Sequence, residues 1–165
     1  PGTNNTTIAT TAFTTAAVTA VTTNGTLTTP TISNALITGI RETITVSATA
    51  ATGTINFDTL TQAVLYYTTN ASGNWTLNVR GNSGTTLNSV MATGQSLSIT
   101  FMATQGGTAY YNNVLTIDGS AVTPKWQGGT APTSGNTSGI DVYTYAIVKT
   151  ASATFTVFAS QTKFA

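Results

Sequence analysis

Apolar and polar residues alternate with a period of two along much of the chain after residue 40, most clearly over residues 140–160. In 140–149, Ile140, Val142, Thr144, Ala146 and Val148 fall on one face, and Asp141, Tyr143, Tyr145, Ile147 and Lys149 on the other. In 153–160, Phe155, Val157 and Ala159 face one way and Thr154, Thr156 and Phe158 the other. Period-two alternation in β-branched and aromatic residues predicts strands. Thr150, Ala151 and Ser152 are small enough to join these two as a hairpin. Both faces of the hairpin carry large apolar groups, so it is expected to be covered on both sides.

The same pattern recurs upstream. Ile44, Val46 and Ala48 alternate with Thr43, Thr45 and Ser47. Residues 54–69 make one long apolar-rich stretch, one strand or two, with Asp58 near a break. In 74–80, Trp75, Leu77 and Val79 oppose Asn74, Thr76, Asn78 and Arg80, the pattern of a half-buried strand. Trp75 and Phe155 are the expected core anchors. Further strands are predicted over 96–102, 114–117 and 121–127, the last two joined by the hairpin signal Asp118-Gly119. Residues 128–139 form a loop of Gly, Pro, Ser, Thr and Asn, and 87–91 can make one helical turn at most. Seven or eight short strands at regular spacing predict an all-β domain, an antiparallel β-sandwich or jelly roll, over residues 41–165.

Residues 1–40 differ. They are rich in Thr and Ala, and Ile8, Phe13 and Val18 stand isolated at spacings that suit neither a helix nor a strand. A disordered low-complexity tail usually carries more charge and fewer β-branched residues. The segment is therefore expected to be an extended N-terminal arm, with Ile8, Phe13 and Val18 as its contacts on neighbouring subunits.

Composition narrows the chemistry. Of 165 residues only 5% are charged, against about 25% in ordinary soluble proteins. The net charge of +1 comes from five dispersed basic residues and four acidic ones, which gives no electrostatic footprint for nucleic acid. Cysteine and histidine are both absent, so there is no disulfide, no thiolate metal site and no imidazole base. The four carboxylates, Glu42, Asp58, Asp118 and Asp141, show no spacing that demands a catalytic pair or a transition-metal site. A Ca²⁺ site built from loop Asp and Asn oxygens is left open. No catalytic residue, cofactor or metal ligand is expected. No apolar run approaches the roughly 18 residues of a membrane-spanning helix, and the first residues lack the basic-then-apolar layout of a secretory leader. Tyr110, Tyr111, Trp126, Tyr143 and Tyr145 are candidates for stacking on a glycan; the same residues fit a core or a subunit interface, where aromatics are enriched.

Residues 36–165 resemble a recurrent C-terminal domain of structural proteins from marine tailed phages, including phages of cyanobacteria. The most specific pieces are LTIDGSAVTPKWQGG at 115–129 and FTVFASQTKFA at 155–165. The resemblance implies a virion component on the particle exterior, as capsid decoration or short fibre, with other virion proteins as partners. It also implies a homo-oligomer, most simply a trimer. The alternative is a receptor-binding tip whose loops 106–113 and 128–139 contact host surface glycan. It supplies no catalytic residues.

Overall fold

Residues that alternate in the sequence alternate in burial. Along Trp75–Arg80 the side chains of Trp75, Leu77 and Val79 are buried and those between them are not. Along Ile140–Ala151 the buried set is Asp141, Tyr143, Tyr145, Ile147 and Lys149. The computed structural model describes Gly39 and residues 41–165; the expected arm, with Ile8, Phe13 and Val18, lies outside the described residues. The described residues are mostly β: β1 Ile44–Ala50, β2 Gly53–Asp58, β3 Val64–Thr69, β4 Trp75–Arg80, β5 Ser96–Thr104, β6 Asn112–Ile117, β7 Ser120–Val122, β8 Lys125–Trp126, β9 Ile140–Ala151 and β10 Thr154–Phe164. A single helical turn, α1, spans Leu87–Val90.

The stretch 54–69 breaks after Asp58 into β2 and β3, which enter different sheets. The segment 121–127 also divides: Pro124, which has no N–H to donate, separates β7 from β8, and these too go to different sheets. Asp118 and Gly119 (φ 52° and 80°) make the tight turn between β6 and β7, as their identities predict. The final hairpin turns at Ser152 and Ala153, and β10 runs four residues beyond the expected end at Ser160.

There are two sheets, one of six strands in the order β1-β3-β5-β9-β10-β8 and one of four in the order β2-β4-β6-β7. The antiparallel arrangement expected from the sequence holds for β5–β9, β9–β10 and β6–β7. The pairs β1–β3, β3–β5, β2–β4, β4–β6 and β8–β10 are parallel. The reason lies in the connections. From β1 to β6 each link carries the chain across to the other sheet instead of folding it back beside the strand it has just left. Strands two apart in sequence then lie side by side and parallel, as successive turns of a flattened coil.

Small buried residues make those corners. Ala51 and Ala71 turn inward where the chain leaves β1 and β3. The corners hydrogen-bond to one another: Ser72 N–H donates to the Ala51 carbonyl at 3.1 Å, and Ala71 N–H to the Thr104 carbonyl at 2.8 Å. Between the sheets lies one apolar core. Phe57, Trp75, Leu77, Val79 and Ile117 enter it from the smaller sheet; Ile99, Phe101, Tyr143, Tyr145 and Ile147 enter from the larger. Trp75 joins the two, edge-to-face with Phe101 and with Tyr143 at 5.7 Å in each case.

Candidate functional site

The five aromatics singled out by the sequence do not form a platform. Tyr143 and Tyr145 are fully buried, in the core position that the sequence left open beside glycan and interface contact. Their position on β9 points them into the core, stacked at 6.5 Å. Their hydroxyls are satisfied internally. Tyr145 donates to Asn112 Oδ1 at 2.9 Å, and the Tyr143 oxygen accepts from Asn112 N–H at 3.3 Å and from Gln161 Nε2 at 2.9 Å. Asn112 Nδ2 in turn donates to the carbonyls of Trp75 and Val114. Burial raises the pKa of both phenols, so they stay protonated throughout the ordinary pH range.

Trp126 is half-buried and packs edge-on against Tyr145 at 6.2 Å. Tyr110 and Tyr111 are half-buried at the start of β6 and are held by their main chains. Tyr110 N–H donates to Gln105 Oε1, its carbonyl accepts from Gln105 Nε2, and Tyr111 N–H donates to Asn74 Oδ1. Phe158, which alternation places on the Thr154 and Thr156 face and which is not among the five candidates, stands 51% exposed on β10. With Trp126, Lys125, Gln127, Thr144 and Ser160 it lines an open groove of about 400 Å³.

Three of the four carboxylates have internal partners. Asp58 takes Arg80 Nε at 2.6 Å across the β2–β4 pair. Asp118 accepts Leu87 N–H at 2.6 Å and Asn88 N–H at 2.9 Å, so the β6–β7 turn holds the N-terminus of α1. Lys149 holds the other end: its buried ammonium donates to the carbonyls of Asn88 and Met91. The two charged residues thus brace one helical turn from both sheets, and the fully buried Leu87 closes that end of the core. Replacing Asp118 by Ala is expected to cost about 1–2 kcal/mol in a denaturant titration, since it orphans two N–H groups and places a Cβ-bearing residue without an Asx side chain at positive φ. Asp118→Asn keeps one acceptor and the tolerance for that φ, so most of the stability should return.

Asp141 lies at the opposite end of the sheets from Asp58, near Gln105 and Tyr110. Its carboxylate accepts Gln105 Nε2 at 2.9 Å and Asn136 N–H at 3.1 Å, which anchors the 128–139 loop. Burial raises its pKa above the ordinary carboxylate value, against the lowering effect of the Asn136 and Gln105 hydrogen bonds. Asp58 and Asp141 therefore do not share a cleft. Among the described residues no three His, Cys, Asp or Glu side chains come together as a metal-ligand set.

The two outer faces differ in kind. The smaller sheet presents a polar ladder: Asn78 Nδ2 donates to Asn56 Oδ1, Thr116 donates to Asn78 Oδ1, and the Asp58–Arg80 pair lies beside them. The larger sheet presents Ile44, Val46, Val64, Tyr66, Met102, Val142, Val148 and Phe158, set among Ser, Thr and Ala. Large groups lie on both sides of the final hairpin; the structure buries the Tyr143 side and leaves Val142 and Val148 on the other side half-buried. Compared with known protein families, curated proteins and solved structures, the chain shows no significant match to any.

Proposed function

We propose that this chain is a structural protein of a phage virion, placed on the particle exterior as capsid decoration or short fibre, and that it acts by subunit assembly. On this reading the two sheets stack as a β-sandwich and serve as a rigid block whose outer surface binds other subunits. The observation that carries the proposal is the outer face of the six-stranded sheet. Across β1, β3, β5, β9 and β10 no charged side chain falls on it, because Asp141, Lys149 and Lys163 all alternate to the inner side. Charge is depleted at the centres of protein interfaces, and a broad apolar face is uncommon on a monomer. The resemblance carried by 115–129 and 155–165 supplies the virion setting.

A second reading, a receptor-binding tip of a tail fibre, draws on the groove between β8 and β10. Phe158 and Trp126 offer an apolar floor, and Lys125, Gln127 and Ser160 a polar rim, which suits the mixed faces of a sugar ring. Antibody labelling of intact particles tests both. Label spread over the capsid supports decoration. Label confined to the tail, with host polysaccharide binding lost in Phe158→Ala, supports the tip. Particles that carry no label overturn both.

A further inference from the structure

β1 is an edge of the six-stranded sheet, and among the described residues it pairs only with β3. The other edge of that sheet is β8, a strand of only two residues. β8 pairs with Phe158 and Ala159, Asn136 Nδ2 donates to the Phe164 carbonyl, and Gln161 donates to the Ser134 carbonyl. Proteins commonly blunt an open edge with Lys, Pro, an inward charge or a very short strand. β1 is seven residues long, ITVSATA, and has no charge and no proline. Its one irregularity falls at the far end, between Ser47 and Ala50. Ile44 is 46% exposed and Val46 61%, both on the outer face, where Lys125 on β8 lies at the far edge of the sheet.

We propose that β1 pairs antiparallel with β1 of a second copy of this chain, joining two six-stranded sheets across a twofold axis close to Val46. Charge sets the orientation of the two copies. Arg41 and Glu42 precede the strand, and no charged residue follows it until Asp58. A parallel copy would set Arg41 beside Arg41 and Glu42 beside Glu42. An antiparallel copy sends these groups to opposite ends and brings only neutral residues face to face. Such a contact is isologous: each subunit supplies main-chain donors and acceptors to the other, and Val46 meets its own counterpart as a β-branched cross-strand pair. The pairing rests on the assembly reading for its setting, and it predicts an even number of subunits where the phage resemblance implies three.

The full chain has no cysteine, so one introduced thiol is a unique reporter. Under mild oxidation Val46→Cys is expected to give covalent dimers at least tenfold faster than Leu60→Cys, a 53% exposed control away from the strand. By light scattering or ultracentrifugation, Val46→Lys, an exposed position where the folded monomer tolerates charge, is expected to halve the mass of the wild-type complex. Equal cross-linking of the two thiol variants, a trimeric mass, or a mass unchanged by Val46→Lys would overturn the pairing. These readouts use isolated protein, so they are separate from particle labelling. Edge pairing without virion label sinks only the virion role, and virion label with no edge pairing sinks only this contact.

Discussion

Replacing Trp75 by alanine is expected to lower the unfolding free energy by about 3–5 kcal/mol, enough to leave a domain of this size marginal. The indole is fully buried and is the aromatic through which the two sheets meet, with Phe101 and Tyr143 both against it. Truncation removes that contact and leaves a cavity between two pleated surfaces that cannot collapse without moving strands. The indole Nε1 has no hydrogen-bond partner although it is buried. Trp75→Phe therefore sacrifices ring volume but no hydrogen bond, and should cost less than half as much. Phe155, which the sequence pattern ranked beside Trp75, is only half-buried at the end of β10. Its truncation should cost about 1–2 kcal/mol. Urea titrations with unchanged slopes would read these differences directly. If Trp75→Ala lost less than about 1 kcal/mol, the indole would not be the joint between the sheets.

Alternation specified which way side chains point, and it did so well where one face is apolar and the other polar. Trp75, Leu77 and Val79 show this. It could not specify which strand lies beside which. A side-chain period of two is the same for a parallel and an antiparallel neighbour, so the coil of β1 to β6 was invisible; it depends on corners at Ala51 and Ala71, whose small side chains carry no turn signature. Where a local rule has a mechanism the structure follows it, as at the Asp118-Gly119 hairpin, whereas 54–69 reads equally as one strand or two until the structure divides it after Asp58. The polar positions were less legible because their partners are distant in sequence. Asp118 meets the N–H of Leu87, 31 residues away, and Tyr145 meets Asn112, 33 residues away. Without those partners a tyrosine beside an apolar stretch reads equally well as core or as binding surface. Phe158 shares its face with Thr154 and Thr156, and it is the structure that shows this aromatic ring open to solvent.

The second large effect is expected at Asp141, where stability and pH meet. The carboxylate is fully buried and receives Asn136 N–H and Gln105 Nε2, while Lys163 lies close enough to lower its pKa slightly. Gly135 packs directly beneath, close to Asp141 Oδ2 and the Tyr110 carbonyl, so this part of the loop fits only around that group. Asp141→Ala would leave Asn136 N–H and one of the two Gln105 Nε2 hydrogens without an acceptor, at about 1–3 kcal/mol each, and release the loop, for a total loss of about 2–6 kcal/mol. Asp141→Asn keeps one acceptor for Asn136 but presents an amide to the Gln105 amide, so its loss at neutral pH should be smaller. The pH dependence separates charge from contact. Burial is the largest influence on this carboxyl and raises its folded pKa above the unfolded value near ~4. The folded state then binds the proton more tightly than the unfolded chain. The associated stability is fully present below the unfolded pKa and is lost as pH rises through the folded one. Wild-type protein should therefore be relatively more stable near pH 4 than near pH 7 when compared with Asp141→Asn, which has no proton to lose at this position. The difference between the two in urea unfolding across that window isolates Asp141 from the other carboxylates, and parallel curves would mean that its charge is not buried at a cost.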